Sequence, residues 1–202
     1  MNKLTIIYQS SIIIISYLLL SFVDLLRIYK KSDRFLLDNY DFTLYDVVTV
    51  ISQTYKKVLI NLFVHSYIII LILNYHITER DINYYYDTIC LIINIPLTHL
   101  IYFILHKLFH TEYFYEYHRL NHELENPIGF CLLYCSTFEV YLLNYLPIIL
   151  GLMIFKAHIN ICIIWILYGM YYKIFKMVSP ISNLNFYKKH MRDLNTNIRL
   201  FI

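Results

Sequence analysis

Charged residues and chain-breaking residues are scarce in this sequence. Asp, Glu, Lys and Arg make up only 15% of its 202 residues, and it has only 3 Gly and 4 Pro. A soluble domain usually carries about 25% charged residues. Since 59% of the residues are hydrophobic and the mean hydropathy is +0.53, the composition excludes an ordinary soluble domain and predicts an integral membrane protein.

Other absences narrow the function. The net charge of +3 is small and scattered, which argues against a nucleic-acid partner. The chain has no Gly-rich dinucleotide loop, so redox chemistry would need a separate electron donor. None of the 4 cysteines forms a CxxC pair. This spacing excludes a zinc ribbon and a disulfide framework and predicts reduced, packed thiols.

What the sequence does contain is a series of apolar runs. They cover about residues 4–23, 58–73, 88–105, 140–155 and 159–172. A membrane span needs about 20 apolar residues, so the short last pair predicts a shallow or tilted hairpin. The first run lacks a small-residue cleavage site and is predicted to be an uncleaved anchor. The fold class predicted is all-α, a multi-span helical membrane protein with about four to five transmembrane or membrane-embedded helices.

The positive charges predict an orientation. Lys and Arg gather between the first two runs and again in the C-terminal tail, and positive loops tend to stay cytoplasmic. The first two runs are therefore predicted to form a hairpin with a cytosolic connection. The third would leave the membrane at His106, which puts residues 106–123 and the tail around His190 on one face as a cytosolic histidine-rich cap.

The stretch HKLFHTEYFYEYHRLNHE, residues 106–123, holds four histidines in two pairs. His106 and His110 are four apart, as are His118 and His122, so each pair shares one face of a helix. Neutral imidazoles suit iron, zinc, copper or nickel. Acids between and after the pairs, Glu123 among them, could accept a hydrogen bond from the second ring nitrogen.

Several explanations compete for these histidines. An HExxH zinc hydrolase is excluded, because Asn126 stands where the second His is required. A mononuclear site of two histidines and one carboxylate, a cluster of iron with many histidines, and ordinary interfacial histidines all remain open. His65 and His158 stand alone, and we expect them at a membrane interface or on the lumenal side.

The order of motifs in the second half resembles the fatty acid hydroxylase / sterol desaturase superfamily. His106-Lys-Leu-Phe-His110 is similar to its first histidine box, HRxxH. The stretch from Tyr117 to Glu123 is similar to its second box, HxxHHE, and Asn-Pro-Ile-Gly-Phe follows as a Pro-Gly turn. The segment from Tyr187 to Asn197, which includes His190, is similar to the third box. The likeness covers about residues 88–202.

The resemblance implies an expected function. It implies a membrane-bound, iron-dependent, oxygen-using lipid hydroxylase or desaturase of lipid biosynthesis, with a di-iron centre and its histidine boxes facing the cytosol at the endoplasmic reticulum. The substrate would be an acyl chain or sterol, and electrons would come from a donor such as cytochrome b5 or a reductase. Residues 1–87 would form an N-terminal membrane hairpin with its loops, and residues 88–202 the hydroxylase-like domain.

The resemblance also implies a metal site, from which the sequence departs in places. The implied ligands are His106, His110, His118, His122 and His190. Residues that could substitute for missing ligands or hydrogen-bond to the ligands are His99, Asn121, Glu123, Glu139 and Tyr187. Asn121, Tyr187 and Met191 stand where the family has histidines. The alternative is therefore a catalytically inactive relative that acts as a lipid-binding or scaffolding membrane protein.

Overall fold

The described part of the chain is helical throughout. The computed structural model describes residues 3–31, 44–76, 81–124 and 127–178, and contains no strand within these ranges. Its helices are α1 (Lys3–Lys31), α2 (Leu44–His76), α3 (Tyr84–Phe109), α4 (Tyr115–His122), α5 (Thr137–Glu139), α6 (Leu146–Ile154) and α7 (Ile159–Tyr172). A 3₁₀ turn covers Gly129–Leu133, and π-helical segments cover Val140–Tyr145 and Lys173–Val178. The prediction of an all-α chain is confirmed for these residues.

Within the described ranges, four helical stretches are long and apolar enough to cross a membrane. They are Lys3–Lys30, Tyr45–His76, Tyr84–Phe109 and Thr137–Ile154, and a shorter apolar helix covers Ile159–Phe175. Each contains or largely overlaps one of the predicted runs. The first three helices extend beyond the runs at both ends because polar flanking residues continue the helical hydrogen bonding. The predicted boundary between residues 87 and 88 stays a prediction.

The α1–α2 pair forms one side of the bundle. Ile13 and Tyr17 of α1 and Val58 and Leu62 of α2 all belong to the main apolar core and are fully buried. The Tyr17 hydroxyl donates to the Phe130 carbonyl at 2.6 Å. A buried phenol needs such a partner, so this bond ties α1 to the turn that follows the histidine-rich stretch.

Helix α3 approaches α6 closely at a glycine. A side chain at Gly151 would collide with the Asn94 amide, and the Asn94 amide nitrogen donates to the Ile148 carbonyl at 2.9 Å. Gly151 is required here for space rather than for backbone conformation, since no glycine of the described residues has a positive φ. This contact fixes α3, and with it His106, against the α5–α6 segment.

A second apolar cluster closes the end of the bundle that bears the histidines. Ile28 near the end of α1, Val47 near the start of α2, and Ile128 and Cys131 pack together there. The buried Asp24 carboxylate accepts the Gly129 N–H at 2.9 Å. The end of α1 and the start of α2 thus lie on the side of the bundle where residues 124–134 lie.

The cysteines are free thiols, as predicted. Cys90, Cys131, Cys135 and Cys162 are all buried and unbridged. Burial raises the pKa of the Cys131 thiol to about 11 and raises the pKa of Cys135 well above its usual range. Cys131 and Cys135, which lie outside the helices long enough to span a membrane, therefore stay protonated and act as small apolar groups.

The expectation for His65 is wrong. His65 lies inside the bundle, nearly fully buried, with its ring edge-on to Tyr141 at 4.5 Å between centroids. Its Nε2 is 3.1 Å from Asn61 Oδ1, which can only accept. The Asn61 amide nitrogen in turn donates to the carbonyls of Leu133 and Cys135, at 2.8 and 3.0 Å. Tertiary packing, which an isolated residue in a sequence does not reveal, decides this position.

Candidate metal centre

The last turn of α3 presents the first histidine pair. His106 is buried and His110, the C-terminal cap of α3, is half-buried with φ −88° and ψ 1°. Their Nε2 atoms are 3.0 Å apart and their ring centroids 4.9 Å apart. The helical spacing of four residues therefore directs both imidazoles to the same place, as the sequence predicted.

A tight reversal then brings α4 back over the same place. The Tyr115 N–H donates to the Thr111 carbonyl at 2.9 Å, which turns the chain between α3 and α4. The His118 ring centroid lies 4.7 Å from that of His106 and 4.9 Å from that of His110. His122 joins them, at 4.7 Å from His118 and 5.2 Å from His110. Four imidazoles from two helices thus form one cluster.

His118 is held by a carboxylate from the next helical segment. Its Nδ1 is 2.8 Å from Glu139 Oε1, and both side chains are buried. The Ser136 hydroxyl caps the short α5 by accepting the Glu139 N–H at 3.1 Å. Because this cap fixes where the helical segment starts, it also fixes the position from which the Glu139 carboxyl group reaches His118.

The Glu139 contact selects one tautomer of His118. When Glu139 is ionised it can only accept, so His118 carries its proton on Nδ1 and a lone pair on Nε2. Burial lowers the pKa of His118 to about 4, so the ring is neutral at physiological pH. Nε2 is buried and has no hydrogen-bond partner among the residues that the structure describes. An imidazole oriented by a carboxylate and carrying an open buried nitrogen is the usual form of a metal ligand.

The spacing of the donor atoms fits one metal ion. One nitrogen each of His106, His110 and His118 can be chosen so that all lie within 4.8 Å of one another. With metal–nitrogen bonds of about 2.0–2.1 Å, two nitrogens on one ion are at most about 4.2 Å apart. The Nε2 atoms of His106 and His110, at 3.0 Å, already satisfy this limit. The three nitrogens together lie within 4.8 Å of one another, so these residues could hold a metal ion if their side chains draw slightly closer.

Aromatic rings shield the cluster. Phe109 is fully buried, and its ring centroid lies 5.9 Å from those of both His118 and Phe138. Phe114 stacks on Phe138 with centroids 6.5 Å apart. These apolar rings limit the access of water to His118, which strengthens electrostatic interactions with any bound ion.

The other predicted site residues differ in how close they lie to the three histidines that could hold a metal ion. Glu123 interacts with Arg119 and Tyr134, at 3.8 and 3.3 Å. Asn121 is half-buried on α4, and its side chain has no hydrogen bond within the described residues. His122 lies in the cluster by ring contact but is not one of the three whose nitrogens lie within 4.8 Å. His190 and Tyr187 lie outside the described residues.

His99 lines a cavity beside the cluster and makes no hydrogen bond to the cluster histidines in the described part of the chain. The cavity has a volume of about 670 Å³ and is bounded by α3, the π-helical segment Val140–Tyr145, α6 and α7. Its walls are mostly apolar, with Ile95, Leu143, Ile148 and Trp165 among them. This size lies within the range of small-molecule sites.

Tyr102 connects the cavity to the histidines. Its ring lines the cavity and lies 5.3 Å from the His106 ring, centroid to centroid. Tyr102 was not predicted from the sequence, although it precedes His106 by four residues and so shares its helix face. Lys173, a second cavity residue that was not predicted, carries no comparable signal, because its position depends on how α7 packs.

No protein-family model matches the chain, and no curated protein or solved structure matches it. The geometry of the cluster and the order of the motifs are therefore the grounds on which a function can be assigned.

Proposed function

We propose that this protein is a membrane-bound, iron-dependent lipid oxygenase, a hydroxylase or desaturase that uses dioxygen. One observation carries the proposal: four imidazoles converge beside an apolar cavity, and one of them, His118, has a buried ring nitrogen without a hydrogen-bond partner among the described residues. The metal ligands would be His106, His110 and His118, with His122 adjacent. The cavity would bind the substrate.

The choice of iron rests on the proposed reaction and on the motif resemblance. Imidazole ligands accept several metals, but zinc has no redox chemistry. Bound iron would supply the activation of dioxygen, with electrons from an external donor such as cytochrome b5 or a reductase. Three nitrogens within 4.8 Å of one another support a single ion. A second ion would need His122 and residues outside the described ranges, such as His190.

The chain's own residues have separate roles in this proposal. Glu139 orients His118 and keeps Nε2 as the open nitrogen. Phe109 and Phe138 restrict water near the cluster. Tyr102 forms the wall between the histidines and the cavity, so the part of the substrate to be oxidised would lie against its ring. Holding an unreactive chain in one place is the protein's main contribution to such a reaction.

The proposed location is the endoplasmic reticulum membrane, with the histidine cluster facing the cytosol. Two features support this orientation. The ends of α1 and α2 that flank the Lys-rich connection lie on the histidine side of the bundle. Positive loops favour the cytosol.

The test combines metal analysis with lipid turnover. We expect iron in the detergent-purified protein and an oxygen-dependent hydroxylated or desaturated lipid product when a reductant is added. A His110→Ala, His122→Ala double variant should lose both. His76→Ala is the matched control, because His76 is exposed and lies at the end of α2. Absence of metal from the wild-type protein would overturn the proposal.

A second candidate function is lipid binding or scaffolding without catalysis. The cavity favours it, since most of its walls contain no histidine and would hold a lipid without any metal. The replacement of family histidines by Asn121, Tyr187 and Met191 points the same way. Specific lipid binding by a protein that takes up no metal in the same experiment would select this function.

A further inference from the structure

Lys173 follows the apolar helix α7 and reaches into the bundle. It is half-buried, and its Nζ donates to the Leu143 carbonyl at 3.1 Å and to Asn144 Oδ1 at 2.8 Å. Pro147, four residues after Leu143, has no N–H and cannot make the usual helical bond to that carbonyl. The ammonium group therefore donates to the π-helical segment Val140–Tyr145 in place of this backbone N–H.

The segment that Lys173 binds continues directly from Glu139. Glu139 immediately precedes Val140–Tyr145, and the Ser136 hydroxyl accepts its N–H at 3.1 Å. Ser136 thus caps the start of this helical stretch, while Lys173 binds its C-terminal half. The backbone of Glu139 is therefore held on both sides of the position from which its carboxylate reaches His118.

Lys173 and Glu139 also compensate each other's charge. The two groups interact electrostatically without a direct ion pair, since no carboxylate oxygen in the described part of the chain lies within 4.0 Å of Nζ. Glu139 Oε1 is bound to His118, while Oε2 is buried and has no hydrogen-bond partner among the described residues. A buried carboxylate is costly unless a positive charge or donors compensate it. Lys173 supplies that positive charge.

We infer that Lys173 is a positioning residue, which keeps the Glu139 carboxylate on Nδ1 of His118 and so keeps the proton of His118 off Nε2. Loss of the ammonium group would leave the carboxylate buried without its counter-charge. Glu139 would then hold His118 less firmly, and the imidazole would populate both tautomers. The inference rests on the proposed function for its consequence, because an Nε2 without a proton can bind the metal ion. A Lys173 that served only the helix would leave His118 unchanged.

The first measurement is the tautomer of His118 in metal-free protein, by NMR of isotope-labelled imidazole nitrogens in phosphatidylcholine nanodiscs. A His118→Gln variant identifies the His118 signals by their absence. We expect the Nδ1–H tautomer alone in the wild-type protein and a mixture of tautomers in Lys173→Gln, whose amide can still donate to the Leu143 carbonyl. Lys173→Arg keeps the charge and should keep the single tautomer. A single Nδ1–H tautomer in Lys173→Gln would overturn the inference, as would a mixture in the wild-type protein.

The second measurement is metal affinity, with Co²⁺ as the probe and a chelator as the competitor. Imidazole binds several first-row metals, and Co²⁺ binding requires neither oxygen nor a reductant. We expect Lys173→Gln to lower the affinity about fivefold, less than the loss of about 10–100-fold when a direct partner of a ligand is removed. In a Glu139→Gln background the same change should cause no further loss, because the effects of residues that act through one another do not add.

The matched control is Lys56→Gln, at an exposed lysine of α2. It should leave both the His118 tautomer and the Co²⁺ affinity unchanged. An equal loss of affinity from Lys173→Gln with and without Glu139 would contradict an effect through that carboxylate. A lower thermal midpoint of Lys173→Gln with an unchanged tautomer and affinity would assign Lys173 to the helix alone and overturn the inference.

The outcomes separate this inference from the proposed function. A Lys173-dependent tautomer in a protein that takes up no metal supports the positioning of His118 and contradicts the oxygenase. Metal uptake and an oxidised lipid product, with a tautomer that does not depend on Lys173, support the oxygenase and contradict the inference.

Discussion

His65 and His118 are both buried histidines in the same bundle, yet their surroundings differ. His65 faces Asn61 and the Tyr141 ring, and the amide of Asn61 continues to two backbone carbonyls. His118 faces Glu139 on one side and three other imidazoles on the other. The first arrangement satisfies backbone groups inside the core, and the second gathers donors that fit a metal ion.

The comparison shows which observation indicates a metal site. Each histidine has one buried ring nitrogen with no hydrogen-bond partner among the described residues, so an open nitrogen alone does not separate them. Convergence does, because one metal ion needs several donor nitrogens close together, and three other imidazoles surround His118. The α3–α4 reversal creates that convergence, and nothing comparable surrounds His65 in the described part of the chain.

The largest expected effect is on metal binding. A His106→Ala, His110→Ala double variant should lose the metal completely, because it removes two of the three nitrogens that lie within 4.8 Å of one another. His65→Ala should keep the wild-type metal content. Elemental analysis of the purified proteins measures both. Loss of metal from His65→Ala, in protein that remains folded by circular dichroism, would break the distinction between the two histidines.

Asn61 should matter for stability but not for metal. Asn61→Leu would leave the buried carbonyls of Leu133 and Cys135 without their donor, at a cost of about 1–3 kcal/mol for each unsatisfied group. We expect a clearly lower thermal midpoint in detergent and an unchanged metal content per folded chain. An unchanged thermal midpoint would show that the hydrogen bonds from Asn61 to these two carbonyls do not stabilise the bundle.

Glu139 should affect metal affinity rather than stoichiometry. Glu139→Gln keeps an acceptor near His118 but removes the charge, and the loss of such a partner lowers metal affinity by about 10–100-fold. Competition with a chelator measures the change. Unchanged affinity would mean that His118 does not bind the ion through Nε2.

Glu123→Gln is the matched control and should have the smallest effect. The Glu123 carboxylate contacts Arg119 and Tyr134 at the surface, where such interactions contribute about 0–1 kcal/mol. Metal affinity should change less than twofold under the same conditions. A loss as large as that of Glu139→Gln would show that Glu123 turns towards the cluster when the metal binds.

Part of the site could be predicted from the sequence because helical spacing is local. His106 with His110, and His118 with His122, share faces in any helix. Glu139 was selected only through the resemblance, since no local pattern shows that a residue 21 positions after His118 contacts its ring. Lys173 and Tyr102 were not predicted as a pair, because their proximity depends on how the bundle places the end of α7 beside α3.

The sequence by itself determined that this chain is apolar and built of about four to five membrane-embedded helices, of which four in the described residues are long enough to span a membrane. It also determined that four of the histidines lie in two pairs after the third apolar run. Hydrophobic composition and helical spacing depend only on residues close together in the sequence, so the sequence alone predicts them. Only the tertiary structure decided that α4 folds back to join the pairs, that Glu139 fixes His118, and that His65 serves the core. Those outcomes depend on contacts between residues far apart in the chain, such as Gly151 against Asn94 and Gly129 against Asp24, which no local pattern encodes.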